Sequence, residues 1–235
     1  MKVREGRRFE MSKNQVFLKA AVMYLIYFVY TYYASSIINV FAPINEYFVR
    51  LVLDILFLAI ILINYLPSLK KDKQVLKEKY STKKIIKVVG LGVLAFIFLN
   101  IIMGIITDIL FPGFSADQNT QAIQDLASLS MVYTVFKTII FSVIAEELLF
   151  RESLNEAITS NGLFILVTSI IYTAMNFIFA TNNTGIYIIA ELAIYFIPAL
   201  LFSYIYVKND RNIILIMLIK FVYNLIPLTI LLLGI

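Results

Sequence analysis

Seven runs of this chain, residues 18–41, 47–66, 86–111, 131–150, 163–180, 186–207 and 213–235, are each close to the length and apolarity that a helix needs to cross the hydrocarbon of a bilayer, about 20 residues. Strands of a membrane barrel are about 10 residues long and alternate in polarity, a different pattern. The expected fold is all-α: a polytopic transmembrane helical bundle of about seven spans forming a single membrane domain over 1–235. Composition leads to the same place. Of 235 residues, 61% are apolar and 15% charged, where a soluble domain has about 45–50% and about 25%. That excess has to face lipid, so a soluble enzyme, a disordered scaffold and a fibrous repeat are all excluded. The first run continues through Tyr and Phe to Phe41 with no small-residue cleavage site, so it reads as a retained span.

Charge placement orients the bundle. With the N-terminus cytoplasmic, segments 1–19, 67–87, 151–162 and 208–212 lie inside, and they hold 17 of the 20 basic residues. The outer loops 42–46, 112–130 and 181–185 hold none; the longest carries Asp117 and Asp125. The expected location is a cell membrane, bacterial by its Ile, Lys and Asn content. Residues 67–87 read as a Lys-rich inner linker at the anionic headgroup surface, more an orientation signal than a lipid-specific site. The basic residues form no soluble module, so nucleic acid is not an expected partner. Membrane lipids are, together with a peptide or a membrane protein. No internal repeat supports an inverted-repeat transporter.

Absent residue types limit the chemistry. The chain has no Cys, no His and no Trp. Disulfides and thiolate metal sites are thus impossible, and the usual general base near neutral pH is missing. No cofactor or metal is expected. Charges at bilayer depth are costly and mark functional candidates, here Asp54, Asp108, Lys137, Glu146, Glu147, Glu191 and Lys220. Asp108 and Lys137 can reach the interface, and Asp54 has a cation, Arg50, one turn before it.

The densest group is Glu146-Glu147-Leu148-Leu149-Phe150-Arg151. On a helix Glu147 and Arg151 are i,i+4 neighbours in the favoured order, which makes an internal ion pair. Glu146 is turned about 100° away and has Phe150 at i+4, leaving a carboxylate free for general-base work or for solvation at a helix end.

Glu-Glu-x-x-x-Arg at a cytoplasmic helix end resembles the first motif of the CPBP family, the CAAX protease and bacteriocin-processing membrane proteins, also called Abi proteins. The family's Phe-x-x-x-His is matched by Tyr172-Thr173-Ala174-Met175-Asn176, with Asn in place of His. Its His-x-x-x-Asn is matched by Lys220-Phe221-Val222-Tyr223-Asn224, with Lys in place of His. The likeness covers roughly 130–230. It divides the chain into N-terminal spans with a basic loop (1–130) and a CAAX-protease-like core (131–235). The resemblance implies a wet cavity open to the cytoplasm, with Glu146 as base, Asn176 as water partner and Lys220 with Asn224 as oxyanion donors. Glu147 and Arg151 would hold the helix end.

The departures point to impaired catalysis. An Asn side chain orients water but takes no proton from it. Carboxylates with amides hold Zn²⁺ poorly. An ammonium at 220 is free to pair with Glu146 or Glu191. Loss of a general base costs about 10²–10⁴-fold and a weakened oxyanion hole about 10²–10³-fold. The leading expectation is a CPBP-type pseudoenzyme acting in bacteriocin self-immunity or as regulator of a membrane partner. The runner-up is an active glutamate-type intramembrane endopeptidase processing leader peptides or lipid-modified tails. A transporter with Asp54, Glu191 and Lys220 along a path comes third.

Overall fold

The computed structural model describes residues 12–114, 127–128, 130–180 and 185–233, except for the side chains at 35, 39, 41–45, 179, 180 and 232. Asp117, Asp125 and the first 11 residues fall outside that set. The described residues are helical and contain no strand. In chain order they form α1 (Lys13–Lys79), α2 (Thr82–Leu110), α3 (Met131–Val135), a π-helix (Phe136–Glu146), α4 (Glu147–Phe150), a 3-10 turn (Glu152–Leu154), α5 (Asn161–Ala180), α6 (Tyr187–Lys208) and α7 (Ile213–Leu233). Among the described residues six stretches are long and apolar enough to cross a membrane, two of them within α1, and the protein is a multi-pass helical bundle. The expected span 131–150 is instead a stack of α3, the π-helix and α4.

Although α1 is helical throughout, it doubles back. A straight helix would hold Tyr27 and Phe57 about 45 Å apart, yet their rings are 5.7 Å apart, and Lys19 Nζ donates to the Asn64 carbonyl at 2.7 Å. The expected spans 18–41 and 47–66 are therefore the arms of an antiparallel hairpin. The second arm overruns its expected end. Residues 67–79 stay helical, Tyr80 and Ser81 make the corner, and the Ser81 hydroxyl caps α2 by accepting from Lys84 N at 3.3 Å. The expected linker 67–87 is thus a helical corner. Lys side chains are good helix formers, and charge alone does not separate a loop from a solvated helix.

Asp72, on the inner face of this corner, is buried. Its carboxylate accepts from Ile213 N at 2.7 Å, and Asn212 Nδ2 donates to its carbonyl at 2.8 Å. The first amides of a helix have no partner within it, so Asp72 caps α7 from another element. The turn entering α7 holds Asp210 and Arg211 in the left-handed region, at φ 55° and 51°. Such conformations cost non-glycine residues roughly 1–3 kcal/mol each. Arg211 offsets this by donating to the carbonyls of Asn155 and Ile158, both at 2.8 Å, and to Asn161 Oδ1 at 3.0 Å.

Gly92 lets α2 lie against α7. A Cβ there would stand 2.7 Å from Ile219 Cδ1, so only a bare backbone admits Ile219. Next to it Phe96 stacks on Phe202 with centroids 3.9 Å apart. The α5–α6 pair is joined by the hydroxyls of Thr168 and Ser203, 2.9 Å apart, a polar contact of the kind that holds helices together in lipid.

Candidate functional site

The polar centre is built by α4 with the end of the π-helix on one side and by the middle of α7 on the other. Lys220 Nζ donates to Glu146 Oε2 at 2.8 Å and to Glu147 Oε1 at 3.0 Å. Arg151 Nη1 donates to Glu147 Oε2 at 2.5 Å. Two acids and two bases thus form one charge-balanced chain. Glu147, Arg151 and Lys220 are buried, while the side chain of Glu146 keeps 19% exposure. Glu147 uses both oxygens on cations. The Phe202 ring centroid lies 5.0 Å from the Arg151 guanidinium carbon and 5.9 Å from Lys220 Nζ; the Tyr172 centroid lies 5.7 and 6.0 Å from them. Arg151 Nε has no acceptor among the described residues, and the aromatic face beside it supplies the electrostatic partner.

Glu146 is not the unpaired carboxylate that α-helical spacing leads one to expect. A π-helix bonds i to i+5 and so has more residues per turn than an α-helix. Neighbouring side chains then lie closer in azimuth than the α-helical 100°. Glu146, the last π residue, and Glu147, the first of α4, therefore both face Lys220. Glu146 is not left without a cation, and the pairing open between Glu146 and Glu191 falls to Glu146 together with Glu147.

The two asparagines stand apart from this chain of charges. Asn176 Nδ2 donates at 2.8 Å to the carbonyl of Tyr172 in its own helix. Asn224 Nδ2 donates at 2.8 Å to the carbonyl of Thr138, in the π-helix. Neither amide is hydrogen-bonded to Glu146 or Lys220 among the described residues. Asn224 secures the π segment that aims Glu146. A cavity of about 320 Å³ does lie between α5 and α6, but its lining of Ile170, Thr173, Ala174, Leu192, Ala193 and Phe196 is separate from the charged chain.

A metal does not fit this donor set. The ammonium of Lys220 already bridges the two carboxylates that a cation would need, and among the described residues no cluster of three acidic or His/Cys ligands exists. Imidazole and thiolate ligands are missing from the sequence altogether.

Asp54 makes a second polar group. It is buried and accepts from Tyr30, from Tyr133 at 3.0 Å and from Lys137 at 2.9 Å. The ion pair expected with Arg50 is replaced by one with Lys137, because Arg50 turns back to Glu46 at 2.7 Å. Lys137 is therefore held in place and not extended to the interface. Sequence reasoning also missed Glu152, which is buried and accepts from Tyr206 at 2.7 Å. Burial pushes its carboxyl up to about 7, and the neighbouring Asp72 adds to the effect. Its place beside a motif Arg masks it as an ordinary helix-end acid.

Residues 127–226 match the family described as type II CAAX prenyl endopeptidase Rce1-like. No curated protein and no solved structure matches the chain.

Proposed function

We propose, from the premise that residues 127–226 belong to the Rce1-like branch of the CPBP family, that this membrane protein is a pseudoenzyme. Its old catalytic centre serves as a structural and partner-binding core. The observation that carries the reading is the double contact of Lys220 Nζ with Glu146 and Glu147. The ammonium occupies Oε2 of Glu146, one of the two oxygens with which that carboxylate could meet a water, and puts a fixed cation where the family's motif carries an imidazole. Each asparagine amide spends one of its two N–H donors on a backbone carbonyl, which leaves less to offer a developing oxyanion. The family likeness supplies the work that remains: self-immunity against a bacteriocin, or regulation of a membrane partner. Residues 131–235 form the core, 1–130 supply the spans around it, and the lysine-rich end faces the cytoplasm.

The test is a Glu146→Gln variant at normal membrane levels. It is expected to keep the immunity or partner-binding phenotype, and neither it nor the parent should cleave a leader or prenylated peptide in detergent. Cleavage by the parent that Glu146→Gln abolishes would establish the endopeptidase in its place.

A further inference from the structure

The corner joining α1 to α2 concentrates the charge of the whole molecule. Residues 67–87 hold eight Lys against Asp72 and Glu78, a surplus of six in a chain whose net charge is +5. All eight (Lys70, Lys71, Lys73, Lys77, Lys79, Lys83, Lys84 and Lys87) are exposed, while Asp72 points inward to α7. Among the described residues only Lys79 has a carboxylate within 4 Å, that of Asp210 at 3.8 Å.

We propose that this corner is a docking surface for the anionic headgroups of the leaflet from which it emerges. Its height fits that partner. Counting about 20 residues from Arg50 brings the second arm of α1 to the hydrocarbon edge near Lys70. The helix then rises roughly 13 Å more to Lys79. A headgroup layer of about 5–7 Å and a Debye length of about 8 Å span that rise, so every lysine sits in the charged layer. Its rigidity fits as well. Ser81 caps α2, Tyr80 Oη donates to Asp210 at 3.4 Å, and Asp72 ties the corner to α7. Little backbone freedom remains to be lost on binding. Lysines are compact point charges suited to lipid phosphates, and the corner has no Arg fork to read a planar ligand.

The detergent-solubilised protein is equilibrated with micelles holding equal phosphatidylglycerol and phosphatidylcholine, re-isolated, and its retained phospholipid assayed by class. Phosphatidylglycerol should exceed phosphatidylcholine several-fold at low salt and fall to parity in molar salt. The variant Lys77→Gln, Lys79→Gln, Lys83→Gln, Lys84→Gln should lose most of the excess, and the matching Lys→Arg variant should keep it. Parity at low salt, or an excess unchanged by molar salt in the parent protein, overturns the proposal even if the Gln variant fails to fold. Salt-sensitive capture of poly-glutamate in preference to phosphatidylglycerol vesicles also overturns it, and makes the surface one for acidic polypeptides.

Discussion

Lys220 balances two carboxylates that would otherwise be stranded in an apolar bundle. Removing one partner of a buried ion pair costs about 3–5 kcal/mol, because the other charge remains. Lys220→Met should therefore lower the melting temperature in detergent sharply, and Glu146→Gln in the same chain should recover part of the loss. Equal melting of the single and double variants would show that Lys220 is not the counter-ion. Glu152 gives a pH dependence. Its folded carboxyl titrates at about 7, against 4.5 unperturbed, so the folded state holds the proton more tightly than the unfolded one. Stability from this group is complete below pH 4.5 and is lost as pH rises through 7, by about 3 kcal/mol at 1.36 kcal/mol per unit. Glu152→Gln should flatten the melting profile between pH 5 and 8 and raise stability at pH 8. A slope unchanged in that variant would assign the dependence elsewhere. At this scale the sequence is readable where contacts are local. Glu147 with Arg151 follows from i,i+4 spacing alone. The choice of carboxylate by Lys220, 74 residues from Glu146, depends on the azimuth of two separate helices, which spacing does not encode.

Among the elements, apolar run length located the helices well, because lipid enforces it. Asn161–Ala180 and Tyr187–Lys208 lie within two residues of the expected spans 163–180 and 186–207. What run length missed is how a span is wound and where it continues in water. The π-helix within 131–150 has the same composition as an α-helix, and the overrun of α1 to Lys79 lacks the apolarity that marked the rest. The approach of α2 to α7 is testable at Gly92. Gly92→Ala places a methyl against Ile219, and overpacking of this kind costs about 1–3 kcal/mol. Adding Ile219→Ala opens space for it, so the double variant should melt higher than the sum of the two single changes predicts. Strict additivity would mean that the helices are not in contact there.

For the whole molecule, the lack of Cys makes topology directly measurable. A single Cys placed at Thr82 should be shielded from an impermeant maleimide added to intact cells and labelled once the cells are opened. One placed at Gly185, exposed in the structure, should be labelled from outside. The reverse pattern would invert the bundle and the orientation proposed from its lysines.

The charge-balanced quartet has a consequence for how the molecule is made. Translation delivers Glu146, Glu147 and Arg151 well before Lys220, which comes on α7. Until that helix docks, the nascent bundle carries one more anion than it can neutralise. Entry of α7, received by Asp72 at one end and by Gly92 along its side, then supplies the missing cation. A polypeptide stalled before Ile213 would leave that carboxylate without its counter-ion.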